Sequence, residues 1–216
     1  MIETLGLARA FRGETRIEYA DLTFETGATY VMLGASGCGK STLLNMIAGI
    51  LTPTDGKIMI DGTDMTALGP KKRDRFRIQN IGSIFQDFKL IEEMSVEDNI
   101  RVLELEGVDT SAMKELLERL RILPLRRRKV ARLSGGEKQR VAIARALVKK
   151  PSIILADEPT GNLNYEIGRA VVEQLVEVSR GRTLIAVTHD DRLATMFDHV
   201  IDMNAVAKAK EASVHA

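Results

Sequence analysis

The run Gly34-Ala35-Ser36-Gly37-Cys38-Gly39-Lys40-Ser41 is built to hold a phosphate. It satisfies G-x-x-x-x-G-K-[ST] at every fixed position, between an apolar, β-rich run (Ala28 to Leu33) and a helix-patterned run (Lys40 to Ile50). Glycines let a phosphate approach the backbone closely. Successive N–H groups and the helix start supply partial positive charge, and Lys40 adds a full one. Lys40 should reach the β- and γ-phosphates of a nucleoside triphosphate, Ser41 should bind Mg²⁺, and Thr42 extends the phosphate-facing set. Cys38 reads as a small side chain whose backbone does the binding.

Three further apolar runs end in polar residues. Ile153-Ile154-Leu155-Ala156 leads into Asp157-Glu158-Pro159, and a buried parallel strand delivers such residues at its C-terminal edge, where ligands collect. Asp157 there could hold Mg²⁺ through water, and Glu158 could polarise an attacking water. Thr183 to Thr188 ends in His189, which on the same edge suits a sensor of the γ-phosphate. Ile81 to Phe85 ends in Gln86, whose carbonyl can bind Mg²⁺ or water; taken alone, a surface glutamine fits as well.

Leu133-Ser134-Gly135-Gly136-Glu137-Lys138-Gln139-Arg140 forms a second helix start. Ser134 and Glu137 make a capping box. The box leaves Gly135 and Gly136 unexplained, because glycine in a helix interior costs about 1 kcal/mol against alanine. Their bareness suggests close approach of a ligand.

These residues need an α/β scaffold. Strand–helix–strand from Ser152 to Thr188, with a helix over about Tyr165 to Ser179, is the unit of a parallel sheet. Met1 to about Glu25, punctuated by Gly13 and Gly27, suits short strands and hairpins. Thr52 to Gly56 reads as a turn and Lys57 to Ile60 as a strand entering a hairpin at Asp61-Gly62. From Ser95 to about Lys150 the pattern is helical almost throughout, a helical insertion in the α/β core. The tail from Ala205 should fray.

The 216 residues fit one large domain, or a core with a smaller lobe, of ordinary globular composition (44% hydrophobic, 28% charged). A net charge of +1, from 31 Lys and Arg against 30 Asp and Glu, gives no general reason to bind nucleic acid. One cysteine excludes an internal disulfide. The N-terminus does not read as a signal peptide. No run approaches the roughly 18 apolar residues of a membrane span, so work at a membrane would need another chain. The basic runs Arg126 to Lys129 and Lys71 to Arg77 fit either a solvated face or contact with lipid headgroups or acidic coupling elements.

The order and setting of these motifs resemble an ATP-binding-cassette ATPase over nearly the whole chain. Gly34 to Ser41 resembles its Walker A motif, Gln86 its Q-loop, Leu133 to Gln139 its signature, Ile153 to Glu158 its Walker B and His189 its switch histidine. Thr160-Gly161-Asn162-Leu163 and Phe85 to Leu90 look like the lipoprotein-release, macrolide-export and cell-division branch. The resemblance implies a P-loop, RecA-like core with an N-terminal antiparallel β subdomain (1–90 and 150–204) and an inserted helical subdomain (about 91–149). It implies a head-to-tail homodimer hydrolysing ATP with Mg²⁺. Lys40, Gln86, Glu158 and His189 would do the chemistry, and Ser41, Gln86 and Asp157 would hold the metal. Ser134, Gly135, Gly136 and Gln139 would meet the other chain's nucleotide. Phe11 falls where the family stacks an aromatic on adenine; a packed strand aromatic fits equally. A separate transmembrane permease would be the partner, with this chain cytoplasmic on the inner membrane face and no nucleic acid bound. A nucleotide-gated regulator of a membrane complex, without transport, is the alternative function. A DNA-repair or ribosome-associated cassette is disfavoured, for the chain has neither a long coiled coil nor a second cassette. Asn164 departs from the aspartate usual after this leucine, which loses a charge and keeps the shape.

Overall fold

The computed structural model describes residues 1–11 and 15–211. In chain order the elements are β1 (Ile2–Ala10), β2 (Thr15–Tyr19), β3 (Leu22–Phe24), β4 (Thr29–Leu33), α1 (Lys40–Ile47), β5 (Asp55–Ile60), β6 (Thr63–Asp64), α2 (Pro70–Asn80) and β7 (Ile81–Ile84). There follow α3 (Val96–Arg101), α4 (Met113–Arg119), α5 (Gly135–Leu147), β8 (Ile153–Asp157), α6 (Tyr165–Val178), β9 (Thr183–Thr188), β10 (His199–Asp202), α7 (Met203–Val206) and β11 (Ala207–Glu211).

Two sheets result. The first is antiparallel, in the order β11-β2-β1-β5-β6 with β3 also paired to β1. The second is wholly parallel, in the order β10-β4-β9-β8-β7. β9 is buried at every position, as a strand covered on both faces must be. Its alternate residues serve different cores. Ile185 and Val187 join Met32, Leu43, Ile47 and Leu155 under α1. Leu184 and Ala186 join Ile154, Val141, Leu117 and Val171 beneath the helical layer.

Several boundaries differ from the sequence expectation for local reasons. α1 stops at Ile47 rather than Ile50, because Gly49 adopts φ 67° and ends the helix in the left-handed conformation. β5 begins at Asp55, inside the expected turn. The Asp61-Gly62 hairpin forms as read, with both residues at positive φ. The expected helical run from 95 to 150 breaks into three helices joined by short 3-10 turns and loops. α2 was visible only as a charge cluster: it fully buries no residue, so it has no apolar period, and Pro70 in its first turn is its one start signal. Arg126 is both partly exposed to solvent and paired. It forks onto Glu97 at 2.7 Å from both Nε and Nη2, tying the loop before α5 to α3.

The expected frayed tail is corrected. Residues 203–206 form a short helix, and Ala207–Glu211 pair antiparallel with Tyr19–Thr15 of β2, the strand satisfying their backbone groups. Residues 212–216, the rest of that tail, and Gly13, read as punctuation, lie outside the described residues.

Candidate functional site

The parallel register gathers the chemistry. Leu33 pairs with Thr188, Asp157 with Val187, and Ile84 with Ala156. The residues that leave these strands, Gly34, Glu158, His189 and Gln86, therefore emerge along one sheet edge.

The glycine loop runs from β4 into α1. Gly37 and Gly39 sit at φ 83° and 99°, conformations that need glycine. Lys40 is buried over the loop, its Nζ donating to the carbonyls of Gly34 at 2.7 Å and Ala35 at 3.0 Å. Tyr19, which sequence reading missed, braces the loop from β2. Its hydroxyl donates to the Gly39 carbonyl at 3.0 Å, and a Cβ on Gly39 would lie only 2.7 Å from it. Burial pushes the Tyr19 phenol up to about 12, so it stays a donor. The Gly39 carbonyl belongs to the same planar peptide as the Lys40 N–H, so anchoring the oxygen aims the N–H the opposite way. Cys38 is half-buried against Gly34, where a Cβ would meet its Sγ at 2.8 Å.

Ser41 Oγ donates to Asp157 Oδ1 at 2.7 Å, joining the first residues of α1 to the end of β8. Two hard oxygen donors that close, with the Gln86 amide nearby, suit a Mg²⁺ that keeps waters and nucleotide oxygens as its other ligands. Among the described residues no group of three or more His, Cys, Asp or Glu offers an all-protein metal cage.

Glu158 adopts φ 45°, unusual for a residue with a side chain, and its N–H donates to Val187 O at 3.0 Å. That turn places its carboxylate, 15% exposed, 3.0 Å from Nδ1 of His189, which is 67% exposed. The histidine's own loop is held by Asp190, whose carboxylate is kept below its usual range by hydrogen bonds from Arg192. Gln86 lies against Gly161, where a Cβ would come within 2.7 Å of its Nε2. Its backbone carbonyl accepts from Asn162 Nδ2 at 2.9 Å. A cavity of about 460 Å³ joins Gly37, Lys40, Ser41, Gln86, Glu158 and His189. Ser36, Gly39 and Thr42 also line it.

Ser134, Gly135, Gly136 and Phe11 do not line this cavity. Phe11 follows the last residue of β1, with 41% of its surface exposed and the Arg9 guanidinium 5.6 Å from its ring centre. Ser134 caps α5 through the full box, and its N–H donates to Glu137 at 2.7 Å, holding that carboxyl below its usual range. The two glycines have an explanation within the chain. A Cβ on Gly135 would meet Leu163 Cδ2 at 2.9 Å, and one on Gly136 would meet Ile167 Cγ2 at 2.6 Å. The bareness that suggests a ligand thus also has a reason in packing: α5 sets its first turn onto the loop before α6 and onto α6 itself. The expectation for Gln139 is corrected. It is 0% exposed with neither amide atom hydrogen-bonded, so in this conformation it presents no side-chain surface to a second chain. Asn164 caps α6, its side chain accepting from the Ile167 N–H at 3.0 Å, a role aspartate would fill equally.

The two reasons for Gly136 separate by experiment. Gly136→Ala loses about 1–3 kcal/mol of stability by overpacking against Ile167. Ile167→Ala in the same chain restores most of it in thermal unfolding, while ATP turnover stays low if a ligand also needs the bare backbone. Full recovery of both would leave packing as the whole explanation.

A glycine loop between a parallel strand and a helix, with a Ser–Asp pair across the sheet edge and an acid one residue on, defines a P-loop nucleoside-triphosphatase. Comparison with known proteins narrows the class. The sequence pattern described as ABC transporter matches residues 17–161. The lipoprotein-releasing system ATP-binding protein LolD of Xanthomonas euvesicatoria is 40% identical over 191 residues, 85% of this chain and 78% of that one. The ABC transporter ATP-binding protein YtrE of Bacillus subtilis is 42% identical over 182 residues, 81% of this chain and 79% of that one. The dimeric, post-hydrolysis structure of the ATP-binding cassette MJ0796 bound to ADP and Pi superposes with a TM-score of 0.80, at 30% identity over 98% of each chain. The chain belongs to the ABC transporter family, as the subunit that binds and hydrolyses ATP. No helix among the described residues is long and apolar enough to cross a membrane.

Proposed function

We propose that the chain binds MgATP along Gly34 to Thr42, and that two copies pair head-to-tail so that Ser134, Gly135 and Gly136 of one cover the nucleotide of the other. The observation that carries this reading is the split between two helix starts. The cavity at α1 holds Lys40, Ser41, Glu158 and His189, whereas the α5 start lies outside it. The α5 start and the α1 cavity are separate within one chain, and a second copy would bring one onto the other.

Within the site, Lys40 moves from the loop carbonyls to the β- and γ-phosphates, which offer full negative charge in place of dipoles. Ser41, Gln86 and Asp157 hold Mg²⁺, which would supply charge neutralisation at the phosphates. Glu158 orients the attacking water and takes its proton. His189, with Nδ1 turned to Glu158, offers Nε2 to the γ-phosphate. Phe11 offers its ring to adenine, a stacking contact worth about 1–3 kcal/mol.

The partner in this reading is a separate transmembrane subunit, which holds the chain at the cytoplasmic face of the membrane. A groove of about 710 Å³ between α2 and the end of α5 is the place for it. The adjoining hollow is lined by Phe85, next to Gln86, and opens beside Ile50, which is exposed. Co-purification from membranes tests the pairing. A bound integral membrane protein raises ATP turnover several-fold in vesicles and moves a substrate across them. A membrane partner that leaves turnover unchanged would contradict the transport reading.

A further inference from the structure

Arg145, near the end of α5, is a half-buried cation with an unusual set of partners. Its Nη1 donates to Lys89 O at 2.6 Å and its Nη2 to Phe88 O at 3.0 Å. Among the described residues no carboxylate pairs with it, and burial alone pushes the guanidinium's pKa down. The two residues it grips, Phe88 and Lys89, both have positive φ, at 58° and 50°. Consecutive side-chain-bearing residues in the left-handed region are sterically disfavoured and persist only where the surroundings hold them. The same helix rests on the strand that leads to Gln86, for a Cβ on Gly82 of β7 would lie 2.7 Å from Ala146 O. The segment after β7 is therefore clamped twice: at Gln86 O by Asn162, and at residues 88 and 89 by Arg145.

We infer that Arg145 is a positioning residue for Gln86, its planar fork fixing the left-handed pair so that Gln86 enters the cavity from one direction. A guanidinium suits this because it presents two N–H groups in a fixed plane to two adjacent carbonyls, whereas an ammonium is a single point charge. Because α5 begins at Gly135 and carries Arg145 near its other end, a rigid shift of this helix moves the cap region and the Gln86 segment together. The inference rests on Gln86 being a ligand in the site, as proposed above.

A double-mutant cycle tests it, read as kcat and KM for MgATP. Gln86→Ala and Arg145→Lys each lower kcat about tenfold with KM within about twofold, and the double variant is no slower than Gln86→Ala alone, since coupled residues are non-additive. Multiplying effects, near 100-fold, would show that Arg145 acts on something other than Gln86. Wild-type turnover by Gln86→Ala would refute the role of Gln86 itself. A slow Gln86→Ala beside a fully active Arg145→Lys would refute only the role of Arg145. A second pair leaves the guanidinium untouched. Lys89→Val opposes positive φ and reproduces the loss in kcat, while Lys89→Gly accepts it and stays within about twofold of wild type. Equal rates for these two variants would also overturn the inference.

Discussion

Glu158→Gln lowers steady-state ATP turnover by about 10²–10⁴-fold, the range for removal of a positioned general base. The substitution keeps the side chain's volume where it is mostly enclosed, and a glutamine oxygen can still face His189 Nδ1, so the fold and nucleotide binding are retained. What is lost is the ability to accept a proton from water. Glu158 is suited to that task by its backbone as much as by its carboxylate. The positive φ, with its N–H bound to Val187 O, turns the chain sharply at the end of β8 and holds the acid at the sheet edge. Rapid-quench measurement of the first turnover separates slow chemistry from slow release. The slow step for Glu158→Gln is cleavage itself, and the nucleotide recovered from the protein is ATP. Recovery of ADP would place the defect in product release.

Asp157→Asn weakens Mg²⁺ binding in the nucleotide complex by about 10–100-fold, the usual loss when an outer partner of a metal site is removed. The Ser41–Asp157 bond at 2.7 Å makes this a sharp test. Asparagine can accept the same hydroxyl hydrogen bond, so the link from α1 to β8 survives while the negative charge is removed. Metal titration at saturating ATP shows a raised requirement, and nucleotide affinity measured in EDTA is unchanged. An equal loss with and without metal would mean that Asp157 holds the loop rather than the metal.

The site was legible in the sequence wherever its residues are local. Gly34 to Ser41, Asp157-Glu158 and His189 each follow a continuous apolar run, and a buried parallel strand puts its next residue at the ligand edge whatever the rest of the chain does. Contacts that span the chain left no such trace. Tyr19 braces Gly39, Arg145 grips Phe88 and Lys89, and Asn162 holds Gln86, each a polar pair brought together only by the fold. Gly135 and Gly136 illustrate the same limit from the other side. Their bareness was visible, but the reason for it inside the chain, contact with Leu163 and Ile167, lies some thirty residues on and depends on how α5 meets α6, beside any ligand they also admit. Gln139 entered the site only through the resemblance of Leu133 to Gln139 to the family signature, and the fold encloses its side chain without a partner. α2 escaped because it fully buries no residue and rests on the core mainly through Phe76, which leaves no apolar period to read, and β11 because its pairing with β2 joins distant parts of the chain.

Shared occupancy of each site by two chains is the central claim, and the mass of Glu158→Gln in solution tests it most directly. Light scattering with saturating MgATP gives the mass of two chains, and with ADP, or with ATP in EDTA, the mass of one. A single-chain mass with MgATP bound in a one-to-one ratio would contradict the account.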